Sequence, residues 1–148
     1  MKKGLLKGIL TLAAAISMGA CSTGASGTVS GEYSYEQYST TYNAVVTVTV
    51  ENDIIKDVVI GECHNLSDAN EAYGWTEEKR AVYTAGVEAY LASFEGKTVT
   101  EVLSIEVAKA ESGAPLTGEE ATFTDKITGT TQSSGRIILA IQNALEKL

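Results

Sequence analysis

Val46, Val48 and Val50 fall on one side of an extended chain, and Thr47 and Thr49 fall on the other. Residues 45–50 therefore predict a strand with a single buried face. Glu51-Asn52-Asp53 is turn chemistry, and residues 54–60, Ile-Ile-Lys-Asp-Val-Val-Ile, supply a second strand, which makes an antiparallel hairpin. A half-buried hairpin needs a covering layer, and two helical stripes provide it. Thr76 is a good N-cap ahead of Glu77 and Glu78, and Tyr83, Val87, Tyr90, Leu91 and Phe94 then recur at helical spacing up to Glu95-Gly96. Ile137, Ile138, Ile141, Leu145 and Leu148 form the second stripe. The pattern predicts one α+β domain over residues 31–148, a twisted, largely antiparallel sheet with helices at 77–94 and 133–145 packed on it. Thr98-Val99-Thr100-Glu101 is a capping-box pattern that opens a short helix through Val102, Leu103 and Ile105. Residues 69–75 and 110–118, the latter holding the sole proline, Pro115, read as loops, and residues 121–124 as a last strand.

The segment entering the second helix is unusual. Residues 125–134 read Asp-Lys-Ile-Thr-Gly-Thr-Thr-Gln-Ser-Ser, a hydroxyl-rich turn in which Gly129 permits a tight bend. Hydroxyls at a helix N-terminus lie where unpaired N–H groups and the macrodipole favour an anion, a phosphate above all. The plainer reading makes Thr131 or Ser133 an N-cap and nothing more. Arg136 is open to the same choice, between a salt bridge to a bound phosphate and an ordinary solvated helix position.

The full pattern resembles D-x-x-[ST]-G-A-T-x-[ST]-S of the FMN-binding domain family, which includes a flavoprotein subunit of sodium-pumping NADH:quinone oxidoreductase and many bacterial flavin lipoproteins. In that family an extracytoplasmic FMN transferase esterifies the FMN phosphate onto the threonine that closes G-A-T. The resemblance makes Asp125 the motif aspartate, Thr128 and Gly129 the [ST]-G pair, and Thr131 the acceptor, with Ser133 and Ser134 at the trailing hydroxyl positions. Thr130 stands where the family prefers alanine and adds a second candidate hydroxyl. The family's opening, a Gly/Tyr-rich extended segment followed by a hairpin, is similar to the stretch of Tyr33, Tyr35, Tyr38 and Tyr42 and the strands after it.

Residues 1–20 are expected to be a signal peptide. Lys2, Lys3 and Lys7 make a basic start, the apolar run at 9–18 is too short for a comfortable membrane span, and Met18-Gly19-Ala20-Cys21 resembles a lipobox with methionine in place of leucine. Cleavage before Cys21 would leave that cysteine to carry a lipid, with residues 21–30 as lipidated cysteine and flexible tether. Loss of three lysines leaves eight basic residues against nineteen acidic ones, a net charge of −11. That surface argues against nucleic acid as a partner and against adhesion to anionic headgroups through basic patches.

Cys63 is the one cysteine besides Cys21, so there is no disulfide framework, and no Cys/His spacing suggests a metal site. Cys63 reads most simply as a small strand-end residue. His64, the sole histidine, is open to surface, capping or proton-donor roles. The expectation that follows is a membrane-anchored extracytoplasmic flavoprotein that carries covalent FMN for electron transfer. Its partners would be the FMN transferase during maturation, then membrane redox partners or extracellular electron acceptors. The alternative is a flavin-free surface lipoprotein acting as a binding module. A substrate-turning flavin reductase finds no support in any convergent acid/base pair or activated nucleophile.

Overall fold

The computed structural model describes residues 24–64, 66, 76–117 and 131–148, with the side chain of Thr131 excepted. The expected signal peptide, Cys21, the loop at 69–75 and the strand at 121–124 lie outside the described residues, as do Asp125, Thr128, Gly129 and Thr130. The architecture is α+β: strands β1 (Gly27–Gln37), β2 (Thr40–Glu51) and β3 (Ile54–Cys63), then helices α1 (Glu77–Ala92), α2 (Val99–Leu103) and α3 (Thr131–Leu145). The strands form a three-stranded antiparallel sheet in the order β1-β2-β3.

Two-residue turns join the strands. Tyr38-Ser39 and Asn52-Asp53 all have positive φ, the requirement of the tight turn whose twist matches a hairpin. Asn and Asp tolerate that region by local hydrogen bonding. The Asp53 carboxylate accepts the Ala25 N–H at 2.8 Å, and Ser26 Oγ accepts the Asn52 N–H at 2.9 Å, so the chain ahead of β1 clasps the second turn. The strand begins at Gly27, four residues before the domain start that the sequence predicts. Residues 24–30 are therefore ordered against the sheet and do not serve as tether. Thr28 faces Thr49, and Ser30 faces Thr47, with hydroxyls 3.3 and 3.0 Å apart on the outer face. A polar edge strand of this kind has the composition of a linker.

The inner face of β2 is Ala44, Val46, Val48 and Val50, all buried. Strand β3 reaches the same face through two register shifts, which leave Lys56 and Gly61 unpaired and bring Ile55, Val58, Ile60 and Cys63 opposite Val50, Val48, Val46 and Ala44. α3 covers this face. Ile137 to Ile141 are apolar without a break and all are buried, so the middle of the helix lies wholly in the core, with half-buried Gln132, Gln142 and Asn143 toward its ends. It lies so close to β1 that a Cβ on Gly31 would stand 2.1 Å from the Ala140 carbonyl oxygen and 2.3 Å from the Ala144 nitrogen. Glycine on the strand and alanines on the helix permit that approach.

α1 buries Tyr83, Val87, Tyr90 and Leu91, the predicted stripe, and Thr76 caps it by accepting the Lys79 N–H. The helix ends at Ala92, two residues short of the predicted end, and Phe94 still packs edge-on against Tyr90. The capping box of Thr98 and Glu101 is present at α2. The Gln142 side-chain amide donates to the Val102 and Ile105 carbonyls at 3.0 and 2.7 Å, which fastens the end of α2 to α3. Among the described residues no helix is long and apolar enough to cross a membrane.

Candidate phosphate site at the start of α3

α3 includes Thr131, two residues ahead of its predicted start, so neither Thr131 nor Ser133 is its N-cap. Ser133 and Ser134 instead lie within the first turn, and both are buried. Arg136 follows in the second turn. A helical Cα–Cβ bond tilts toward the N-terminus, so a long side chain at this position reaches back over the first turn. Its guanidinium does so, with Nη2 3.4 Å from Ser133 Oγ. Arg136 is 1% exposed, and the solvated alternative is excluded.

The sheet below supplies the surroundings. Tyr35 and Tyr42 are directly opposite on β1 and β2, and their rings stack at 5.3 Å with 12° between planes. Cys63 closes β3 opposite Ala44, and both are fully buried. Arg136 Nη1 donates to Tyr35 Oη at 3.4 Å, and Nη2 donates to Cys63 Sγ at 3.5 Å and to the His64 carbonyl at 3.4 Å. The guanidinium carbon lies 5.8 Å from the centre of the Tyr42 ring, whose neighbour on another side is the His64 imidazole at 4.5 Å. From α1, Tyr83 donates its hydroxyl to Ser133 Oγ at 2.9 Å and lies 3.9 Å from Cys63 Sγ.

Three features set the electrostatics. Burial pushes the Tyr83 phenol well above its ordinary range, with Cys63 adding to the effect. Burial also raises Tyr35, though Arg136 opposes the shift. Both hydroxyls are therefore neutral at physiological pH and neutralise no positive charge. The only ion pair among the described residues is Lys56–Glu51, on the surface. Arg136 Nε has no hydrogen-bond partner at all. A guanidinium cannot shed its proton; burial opposes the charge on Arg136, but Cys63 above all, with Tyr83 and Tyr35, outweighs that and holds the guanidinium above its ordinary value. The chain is strongly acidic, yet the described residues bring no carboxylate to Arg136, the one buried cation among them.

Of the predicted site residues, Ser133 joins this cluster, Ser134 is buried beside it in the chain, and Thr131 opens the helix. Cys63 is the buried strand-end residue that the sequence suggests; its sulfur faces Arg136 and Tyr83, while the His64 ring packs on Tyr42. Sequence reasoning did not find Tyr35, Tyr83 and Arg136 as a cluster. One signal was available: Arg136, Ala140 and Ala144 are spaced i, i+4, i+8, which puts the arginine on the line that meets β1. Among the described residues no group of His, Cys, Asp and Glu could hold a metal ion. Comparison with protein families found no match to this chain, and no curated protein and no solved structure matches it.

Proposed function

We propose that this chain is an extracytoplasmic flavoprotein, lipid-anchored to a membrane through Cys21, that carries FMN esterified to Thr131 and serves as an electron-transfer carrier. The observation that carries the reading is Arg136: a buried guanidinium over the first turn of the helix that follows the Asp125–Thr131 motif, with its Nε unpartnered. The residues fit a phosphate in charge and in donors. Arg136 would offset the charge that a phosphodiester retains, helped by the N-terminal N–H groups of α3. Ser133 and Ser134 would hold the turn, and Tyr42 and His64, both half-buried, offer aromatic surface to a planar ring system. FMN, when bound, supplies one- or two-electron chemistry at its isoalloxazine ring, and the protein contributes placement and electrostatics. A covalent link has a clear use outside the cytoplasm, where dissociated FMN would diffuse away. In this reading an FMN transferase is the maturation partner, and membrane redox proteins or extracellular acceptors exchange the electrons.

The flavin-free lipoprotein is favoured by a different observation, the Tyr83–Ser133 hydrogen bond, which engages one of the motif's hydroxyls as structure. The deciding experiment is co-production with an FMN transferase, followed by an absorption spectrum and intact mass. A flavin spectrum with a mass gain of one FMN less one water supports the carrier. An unchanged mass with an active transferase present supports the binding module.

A further inference from the structure

The chain ahead of β1 is fastened to the Asn52-Asp53 turn. The Asp53 carboxylate accepts the Ala25 N–H at 2.8 Å, the Asp53 N–H donates to the Ala25 carbonyl at 2.8 Å, and the Asn52 N–H donates to Ser26 Oγ at 2.9 Å. Gly24 passes so close that a Cβ there would stand 2.7 Å from the Asn52 carbonyl carbon. Cys21 precedes Ala25 by four residue steps, a span of at most about 14 Å, whereas a free tether through residue 30 would reach roughly 32 Å.

The start of α3 lies at the other end of the domain. α3 runs antiparallel to β1: Leu148 packs at Gly27, Lys147 donates to the Ser30 carbonyl, Asn143 to the Glu32 carbonyl, Arg136 to Tyr35 and Gln132 to Gln37. Tyr35 is eight residues on from Gly27, so the first turns of α3 stand roughly 27 Å from the clasp along the strand. The outer face of the sheet would meet a membrane if the domain lay down on it. That face carries Glu32, Glu36, Asp57 and Glu62, opposite Val45, Thr41, Thr49 and Val45, and all four acids are exposed. Lys56, Lys97 and Lys147 lie at the clasp end instead. Acidic headgroups repel the sheet face and tolerate the clasp end.

We propose that the clasp turns the lipid anchor into a short mount: the domain stands on the membrane by its Asn52-Asp53 end and presents the start of α3 to partners that approach from the aqueous side. The inference rests on the lipid-anchor reading above. It deepens that reading by choosing between the two partner classes, since a redox group embedded in the bilayer lies beyond the reach of the far end of the sheet. The clasp is what makes the choice. Released, residues 21–30 would let the domain swing through more than twice the radius and turn either end to the lipid.

The test uses the full chain, matured in cells and reconstituted in phosphatidylcholine–phosphatidylglycerol vesicles whose headgroups carry a short-range fluorescence quencher. A fluorophore is attached through Lys56→Cys at the clasp end or through Thr41→Cys at the far end. With Cys21 lipidated and Cys63 buried, each variant has one reactive thiol. The Lys56→Cys label should lose most of its emission, and the Thr41→Cys label should keep nearly all. Asp53→Gly with Ser26→Ala removes the side-chain half of the clasp, and glycine still suits the positive φ of the turn. In that double variant the Ala25 and Asn52 amides should exchange at least about tenfold faster, and the difference between the two labels should fall by half or more. If it does not fold, a Gly/Ser insertion of about ten residues between Thr23 and Gly24 decides, because it leaves the domain untouched and should erase the difference. Equal quenching of the two labels in the parent chain overturns the proposal, as does a difference that survives the insertion. Stronger quenching at Thr41→Cys also overturns it, and would set the exposed Tyr38 tip in the membrane interface. A chain whose intact mass shows no lipid overturns the anchor reading and this proposal together, whereas lipidated protein with equal quenching overturns this proposal alone.

Discussion

Tyr83 on α1 and Ser133 on α3 are fifty residues apart in the chain and joined by a 2.9 Å hydrogen bond in the core. The bond ties the first turn of α3 to the helix across the end of the sheet. Ser133 Oγ has two donors, Tyr83 and Arg136, so it links the neutral and charged halves of the cluster.

Tyr83→Phe should therefore cost about 1 kcal/mol, or roughly 4 °C in Tm, since it deletes one buried neutral hydrogen bond and keeps the ring. Urea denaturation of parent and variant measures it. A variant as stable as the parent would mean that the hydroxyl contributes nothing net.

Alkaline pH should act through the same residue. The folded pKa of Tyr83 is raised by burial, and that of Tyr35 likewise, so the folded state retains protons that the unfolded chain releases. Their contribution is fully present below the unfolded value of about 10 and is lost as pH rises beyond it toward the folded values. Stability should fall above about pH 10, and it should fall less steeply in Tyr83→Phe. Parallel curves for the two proteins would remove Tyr83 as the cause.

Gly31→Ala should be among the most damaging single changes in the sheet. The added methyl would meet the α3 backbone at 2.1 Å, where no side chain can swing aside, so a loss of about 3 kcal/mol or more is expected. Gly61→Ala is the control: its nearest neighbour stands at 3.7 Å, and the change should stay within roughly 0.5 kcal/mol.

For the acceptor hydroxyl, Thr131→Val should abolish covalent flavin while the domain still folds, and Thr130→Ala should retain it. Asp125→Ala should reduce labelling by weakening transferase recognition. In-gel flavin fluorescence after denaturation distinguishes the outcomes, and undiminished signal in Thr131→Val would move the ester to Thr130 or a nearby serine.

Cys21→Ala should block lipoprotein processing and leave the precursor without lipid. Metabolic labelling with a fatty acid reads this directly, and a labelled variant would place the anchor elsewhere.

The hairpin of β2 and β3 and both long helices were legible because each repeats its period over enough residues: Val46 to Val50 at two, Tyr83 to Leu91 near 3.6. The Asn52-Asp53 turn was legible from its chemistry. Residues 27–30 were not, because a solvent-facing edge strand takes its stability from ladder hydrogen bonds and Thr/Ser pairs, which composition does not record. Burial of Arg136 was hidden for a related reason. A charged residue is assigned to the surface by default, and only the packing of α3 against Tyr35 and Cys63 overrides that default. The hydroxyl-rich approach to α3 was visible as a pattern, whereas its pairing with a buried cation needed the third dimension.

The two extra residues in β3 have a consequence for how the chain finds its fold. A regular strand over this segment has two choices of inward face. One turns Lys56 and Glu62 into the core, and the other turns Asp57 in and leaves Gly61 as a gap. Only the twice-irregular path, with Ile55, Val58, Ile60 and Cys63 inward, keeps every charge in water. Lys56, Asp57 and Glu62 thus act as wards in a lock, contributing little to the native structure and excluding the two straight keys. An apolar residue at position 57 would remove one ward, and the hairpin would then have a second alignment within reach as it forms.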